Sequence, residues 1–146
     1  MHLPRTILVA TDFSDCAERA LDLAVALADK LGAKIYLLNV IGVPTLGLPE
    51  LGVALTTSMM ESTVRTHHAE LDRIAGRRSG ANIETMLRTG DARDAIIDVA
   101  RDVEADLIAM GTHGRRGVRR ALIGSIAEGV LRAAPCPVLT VREQKI

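Results

Sequence analysis

Residues 111–128 read GTHGRRGVRRALIGSIAE, and three of their glycines, Gly111, Gly114 and Gly124, keep the spacing G-x2-G-x9-G with Ser125 directly behind the last. Glycines lack a Cβ, so the main chain can turn tightly there and come close to a ligand. A helix that starts at Ser125 presents unpaired N–H groups and a partial positive charge, both matched to phosphate. Ser125 adds a hydroxyl donor. The chemistry that this spacing suits is the holding of a nucleotide, with glycines near the ribose and the helix start on the phosphates. A second account stays open: Ser125 and Glu128 spell S-x-x-E, a capping box in which the hydroxyl serves its own helix. Two other phosphate-binding loops are excluded. No G-x4-G-K-[ST] occurs, so this is not a Walker A loop. No G-x-G-x-x-G follows the first strand candidate, which argues against a dinucleotide site.

Such a stretch needs elements to hold it. Short β-rich runs stand at Thr6–Ala10, Lys34–Ile41, Ile83–Arg88, Leu107–Met110 and Val138–Val141. Most are continuously apolar, as strands covered on both faces are, whereas the third alternates and suits an edge. Helical spacing of apolar residues separates them. Ala17, Ala20, Leu21, Ala24, Leu27, Ala28 and Leu31 form one stripe, with Ser14 as its N-cap and Gly32 as its C-cap. Met60, Val64, His67, Leu71, Ile74 and Ala75 form a second, on a helix expected over Ser58–Arg78. A third helix opens near Asp91 and buries Ala92, Ala95, Ile96, Val99 and Val103; a fourth runs from Ser125 to about Ala134 before Pro135 and Pro137. The order β-α-β-α-β-α-β-α-β predicts an α/β fold with a doubly wound parallel sheet. It fills residues 1–146 as one domain with no linker or repeat. Gly42–Thr57, rich in Gly and Pro, reads as irregular, either a lid over a site or a plain surface loop.

In an open parallel sheet, ligands bind beyond the carboxyl ends of the strands, where the winding reverses. That directs attention to Ala10-Thr11-Asp12-Phe13-Ser14 after the first strand, to Asn39-Val40-Ile41-Gly42 after the second, and to Met110-Gly111-Thr112-His113-Gly114 after the fourth. Composition narrows the partners. The formal net charge is zero and aromatic residues make up 1% of the chain, which speaks against nucleic acid as a partner. No apolar run is long enough to cross a bilayer and the N-terminus turns polar early, so a soluble cytoplasmic protein is expected, without a membrane partner. Cys16 and Cys136 lie far apart, form no metal framework and fit reduced thiols.

At this point the chain resembles the universal stress protein family, in its ATP-binding type. Residues 111–125 carry that type's G-x2-G-x9-G-[ST] motif, TILVATDFS resembles its first strand, LLNVI its second, and AEGVLRAAPCPVLTVR its last helix and strand. The resemblance spans essentially the whole chain. It implies a Rossmann-like, five-stranded parallel sheet of order 3-2-1-4-5 with helices on both faces. It further implies that Ala10, Thr11 and Asp12 line the adenosine half, with Asp12 near ribose hydroxyls or a metal-bound water. Val40 would meet adenine through its main chain, Met110 and Gly111 would pack along the ribose, and Gly114, Gly124, Ser125, Ile126 and Ala127 would hold phosphates. The cofactor implied is ATP with Mg²⁺, and the role a stress-response switch read by an unidentified protein partner. Homodimerisation through the last strand is implied too; that strand is also an apolar edge that invites pairing.

Single residues are less decisive. Arg115, Arg116, Arg119 and Arg120 face either a triphosphate or solvent. His113 reads as a loop residue. His67 and His68 point about 100° apart on a helix, which makes no metal site. No catalytic lysine, Ser-His-Asp set or carboxylate pair lies near the motif, so binding is expected rather than catalysis. A slow ATPase or self-phosphorylating enzyme and a nucleotide-free interaction module remain the alternatives.

Overall fold

The computed structural model describes residues 2–42, 49–113 and 123–143, with the backbone alone over 49–56. Its elements follow as β1 (Thr6–Ala10), α1 (Asp15–Leu31), β2 (Lys34–Ile41), α2 (Pro49–Gly76), β3 (Ile83–Thr89), α3 (Ala92–Asp102), β4 (Leu107–Gly111), α4 (Ser125–Ala133) and β5 (Val138–Val141). The five strands form one parallel sheet of order β3-β2-β1-β4-β5, as expected. The half-exposed, alternating β3 lies at one edge and β5 at the other.

Side-chain alternation along the strands splits the core into two layers. On one face Ile7, Val9, Ile35, Leu37 and Ala109 pack with Leu21, Ala24 and Ala28 of α1 and with Leu71 and Ile74 of α2. On the other face Leu8, Ala10, Leu38, Ile108 and Met110 pack with Ile96, Val99 and Ala100 of α3 and with Ala127 and Val130 of α4. Each fully buried Leu or Ile contributes roughly 1.5–3 kcal/mol by leaving water, which offsets the entropy of ordering so aliphatic a chain. Helix ends follow the sequence signals. The Ser14 hydroxyl accepts from the Ala17 N–H at 3.2 Å, and Gly32 closes α1 in the left-handed region at φ 67°.

Helix α2 corrects one expectation. It begins at Pro49, inside the stretch Gly42–Thr57 that reads as irregular. Proline is tolerated as the first residue of a helix because its missing N–H would have no intrahelical partner there. Punctuation by Pro49 therefore marks a helix start, not a loop. The lid reading for residues 43–48 falls outside the described residues. The inward face expected for α2 holds: Leu71 and Ile74 are buried and Met60, Val64, His67 and Ala75 half-buried, while Arg65, Thr66, His68 and Ala69 are exposed.

Candidate functional site

The winding reverses between β1 and β4, and in open α/β sheets the crevice for a ligand lies outside the carboxyl ends of the strands at that point. Chain connectivity beyond β1 is a turn, Thr11–Ser14, held from several sides. The Thr11 N–H donates to the Leu38 carbonyl at 2.8 Å, so the β1–β2 ladder reaches one residue past β1. The Phe13 N–H donates to Thr11 Oγ1 at 3.0 Å, and the Ser14 N–H to Asp12 Oδ1 at 3.0 Å. Phe13 sits at φ 66°, a left-handed conformation that a residue with a Cβ adopts at a cost of roughly 1–2 kcal/mol. Local hydrogen bonds hold it there, and the result is a fixed orientation for the half-buried Asp12 carboxylate.

Val40 lies one strand over. In a parallel ladder, alternate residues of a strand direct both main-chain groups to the same neighbour. Lys34 donates to Arg5 and Leu38 accepts from Thr11, so the even-numbered residues of β2 face β1. Ile35 donates to Asn82 and Ile41 accepts from Gly90, so the odd-numbered ones face β3. Val40 therefore turns its N–H and C=O towards β1 at a level where β1 has ended. The Thr11 carbonyl, to which the Val40 N–H would donate in a continued ladder, takes the Asn39 side-chain amide instead at 2.8 Å.

The third wall is the junction of β4 and α4. The Gly124 N–H donates to the Thr112 carbonyl, so the two ends that flank residues 114–122 meet in a narrow neck. A Cβ on Gly124 would lie 2.9 Å from that same carbonyl oxygen. Gly111 is tight for another reason: a Cβ there would meet Cys16 Sγ at 2.8 Å and the Cys16 main chain at 3.1 Å. Its missing side chain lets α1 close onto β4, and the Cys16 thiol donates to the Val141 carbonyl at 2.9 Å. Helix α4 takes Gly124 as its N-cap, without a side-chain cap bond. This corrects the capping-box account. The Glu128 N–H bonds the Gly124 carbonyl at 2.9 Å, which starts the helical ladder one residue before Ser125. Glu128 then falls too late to reach back, and instead pairs with Arg132 at 2.9 Å. The N–H groups of Ser125, Ile126 and Ala127 are the ones that an α-helix leaves without an intrahelical acceptor.

The expected site residues thus converge. Ala10, Met110 and Ala127 share one buried cluster beneath the crevice, with Val40 packed at its margin. Thr11, Asp12 and Gly111 form the rim, while Gly124 and the exposed Ser125 and Ile126 stand at the helix start. Gly114 and Arg115, Arg116, Arg119 and Arg120 lie outside the described residues. Among the described residues no group of His, Cys, Asp and Glu is arranged to hold a metal by itself. Burial and the nearby Asp106 charge push the Cys136 thiol up, away from nucleophilic use.

The profile of the universal stress protein family matches residues 4–142. This chain belongs to the universal stress protein family. The universal stress protein MJ0531 of Methanocaldococcus jannaschii is 34% identical over 146 residues, covering 99% of this chain and 85% of that one. Among solved structures, the protein MJ0577 superposes with a TM-score of 0.86 at 25% identity, covering 99% of this chain and all of the other. A universal stress protein in complex with cAMP gives 0.72 at 25% identity over 97% and 98% of the two chains. One from Archaeoglobus fulgidus in complex with dAMP gives 0.61 at 27% identity over 96% and 99%.

In this universal stress protein three polar residues at the crevice have partners that the sequence does not give, two of them, Asn39 and Thr112, in the strand-end loops singled out above. Thr112 is buried; its N–H donates to the Val141 carbonyl at 2.9 Å and its hydroxyl lies 3.0 Å from His113 Nδ1. Asn39, only 3% exposed, joins Thr11 to His67 Nδ1, the latter at 2.8 Å. The signal for Asn39 was present, a carboxamide within the apolar run KIYLLNVI. His67 was readable only as one member of an inward stripe.

Proposed function

We propose that this universal stress protein binds an adenine nucleotide, ATP with Mg²⁺, in the crevice between β1 and β4, and acts as a nucleotide-dependent switch in a stress response. The observation that carries the reading is a pair of main-chain features at the carboxyl end of one sheet: the N–H and C=O of Val40, turned towards β1 where β1 has ended, and the start of α4 with no side-chain cap. The first suits the hydrogen-bonding edge of adenine, which offers an adjacent donor and acceptor. The second suits phosphate. Ala10, Met110 and Ala127 floor the space between, and Asp12 is set to meet ribose hydroxyls or a metal-bound water. Asp12 is the one carboxylate among these residues, so a bound Mg²⁺ would keep phosphate oxygens and water as its other ligands. Relatives solved with cAMP and dAMP support the adenine half of the reading.

Residues 1–146 act, on this proposal, as one nucleotide-binding domain of a cytoplasmic homodimer paired through the outer side of β5. No helix among the described residues is long and apolar enough to cross a membrane. Calorimetry with ATP and Mg²⁺ at millimolar concentration, together with mass spectrometry of whatever small molecule co-purifies, tests the binding. Saturable heat or a retained adenine nucleotide is expected. Neither appearing would end the proposal. Sedimentation at micromolar concentration tests the dimer, and a monomer there would remove it.

A further inference from the structure

We infer that His67 is a positioning residue for this crevice: from α2 it sets the Asn39 carboxamide, which keeps the Val40 main chain available to a ligand and so couples nucleotide affinity to the placement of α2. The inference rests on the proposed adenine reading for its functional consequence, but not for its geometry. The Asn39 amide Nδ2 donates to the Thr11 carbonyl at 2.8 Å, so Oδ1 must accept from its other neighbour. That neighbour is His67 Nδ1 at 2.8 Å, which therefore carries the hydrogen. The Thr11 carbonyl is the group that would otherwise take the Val40 N–H and extend the β1–β2 ladder by one step. The Asn39 amide takes one of that carbonyl's two acceptor positions and, on this inference, directs the carbonyl away from the Val40 N–H, so that the ladder ends at Ala10 and Leu38 with His67 holding Asn39 to that task. The His67 ring also meets Phe13 edge-to-face, with centroids 5.2 Å apart and planes at 88°. Phe13 at φ 66° is a strained residue of the Asp12 turn, and such conformations persist where surrounding contacts hold them. One side chain on α2 thus touches both the base side and the ribose side of the site.

Without the His67 donor, Asn39 Oδ1 would be left buried and unpaired. The carboxamide would turn away, the Thr11 carbonyl would be released, and the Val40 N–H would close onto it. Two variants separate the two contacts. His67→Phe keeps a ring for Phe13 and removes the donor. His67→Asn places an amide nitrogen near the Nδ1 position and removes the ring. Titration of the full chain with ATP and with tripolyphosphate is compared with thermal melts, and amide exchange is followed by NMR without ligand. His67→Phe should lose about tenfold in ATP affinity, ~1.4 kcal/mol, with tripolyphosphate binding unchanged. His67→Asn should stay within about threefold of the parent, a rescue that general loss of packing would not give. In the ligand-free His67→Phe protein the Val40 amide should exchange more slowly than in the parent. ATP affinity unchanged in His67→Phe, or equally weak in both variants, overturns the inference. Should the parent itself bind no ATP, the proposed function fails, and the exchange measurement still decides: unaltered exchange at Val40 overturns the role of His67.

Discussion

Gly124→Ala isolates what the last motif glycine does. Gly124 sits at φ −73° and ψ 161°, an ordinary extended conformation that alanine adopts without strain. Conformational freedom is therefore not the reason for glycine here. The added Cβ would stand 2.9 Å from the Thr112 carbonyl oxygen, a main-chain atom that cannot swing aside. Since ordinary contact begins near 3.4 Å, the neck must open by about 0.5 Å. That stretches the Gly124 N–H bond to Thr112, worth about 0.5–1.5 kcal/mol net. Alanine is also a poorer N-cap than glycine by roughly 0.5 kcal/mol. The sum, roughly 1–2 kcal/mol, lowers the melting temperature by roughly 3–6 °C for a domain of this size. Nucleotide affinity should fall further, by about tenfold or more, because charge-assisted hydrogen bonds to phosphate depend on where α4 begins. Calorimetric melts and ATP titrations measure the two effects. Gly124→Ser is the companion variant: it carries the same Cβ but supplies a capping hydroxyl. It should recover stability and leave affinity low. Unaltered ATP binding in Gly124→Ala, or affinity restored along with stability in Gly124→Ser, would refute the steric argument.

Gly111→Ala should destabilise by about 1–3 kcal/mol in urea unfolding, as overpacking does, because its Cβ meets Cys16. Combining it with Cys16→Ala should recover only part of the loss, since the 3.1 Å contact with the Cys16 main chain remains. Asp106 anchors the start of β1: the Arg5 N–H, the His2 ring and the Thr6 N–H hold its carboxyl below the usual 3.8. A depressed folded value means that this contribution is present above the unfolded pKa near 3.8 and is lost as pH falls through the lower folded one. Asp106→Asn should therefore flatten the acid limb of stability against pH; an unchanged limb would remove Asp106 as its source. Ser14→Ala, which deletes the α1 cap, should cost about 1 kcal/mol and roughly 2–4 °C in a thermal melt.

The strands were legible because each is a short apolar run, and a strand buried on both faces has no other pattern to show. Ser14 and Gly32 were legible because caps are chosen by a local geometry that few residue types satisfy. The first part of α2 was not legible, since Pro49 and Gly52 signal a break whenever their position in a helix is unknown. The loops after β1, β2 and β4 could be singled out because ligands of an open parallel sheet bind at strand ends, whereas the strand order and the roles expected of Ala10, Val40 and Met110 came from the family resemblance. The Asn39–His67 link could not. It joins residues on different elements through one hydrogen bond, and nothing in the spacing of either residue encodes the partner.

The S-x-x-E at Ser125 and Glu128 shows where local reading ends. The motif describes a capping box only if Ser125 is the N-cap, and that depends on where the helical ladder starts. The start is set by a remote contact: the Thr112 carbonyl takes the Gly124 N–H, which fixes Gly124 against the end of β4. The Gly124 carbonyl then accepts from Glu128 and becomes the first in the ladder. A one-residue shift moves Ser125 to the first helical position, where its hydroxyl is not the cap. The helix forgoes roughly 0.5–2 kcal/mol that a side-chain cap can supply. A stabler α4 was available to a sequence with serine one place earlier, but its hydroxyl would have occupied one of the N–H groups of Ile126 and Ala127, and its Cβ would have pressed on Thr112. The glycine at 124 thus serves the neck and leaves α4 without a side-chain cap, which is the arrangement that the proposed phosphate contact would use.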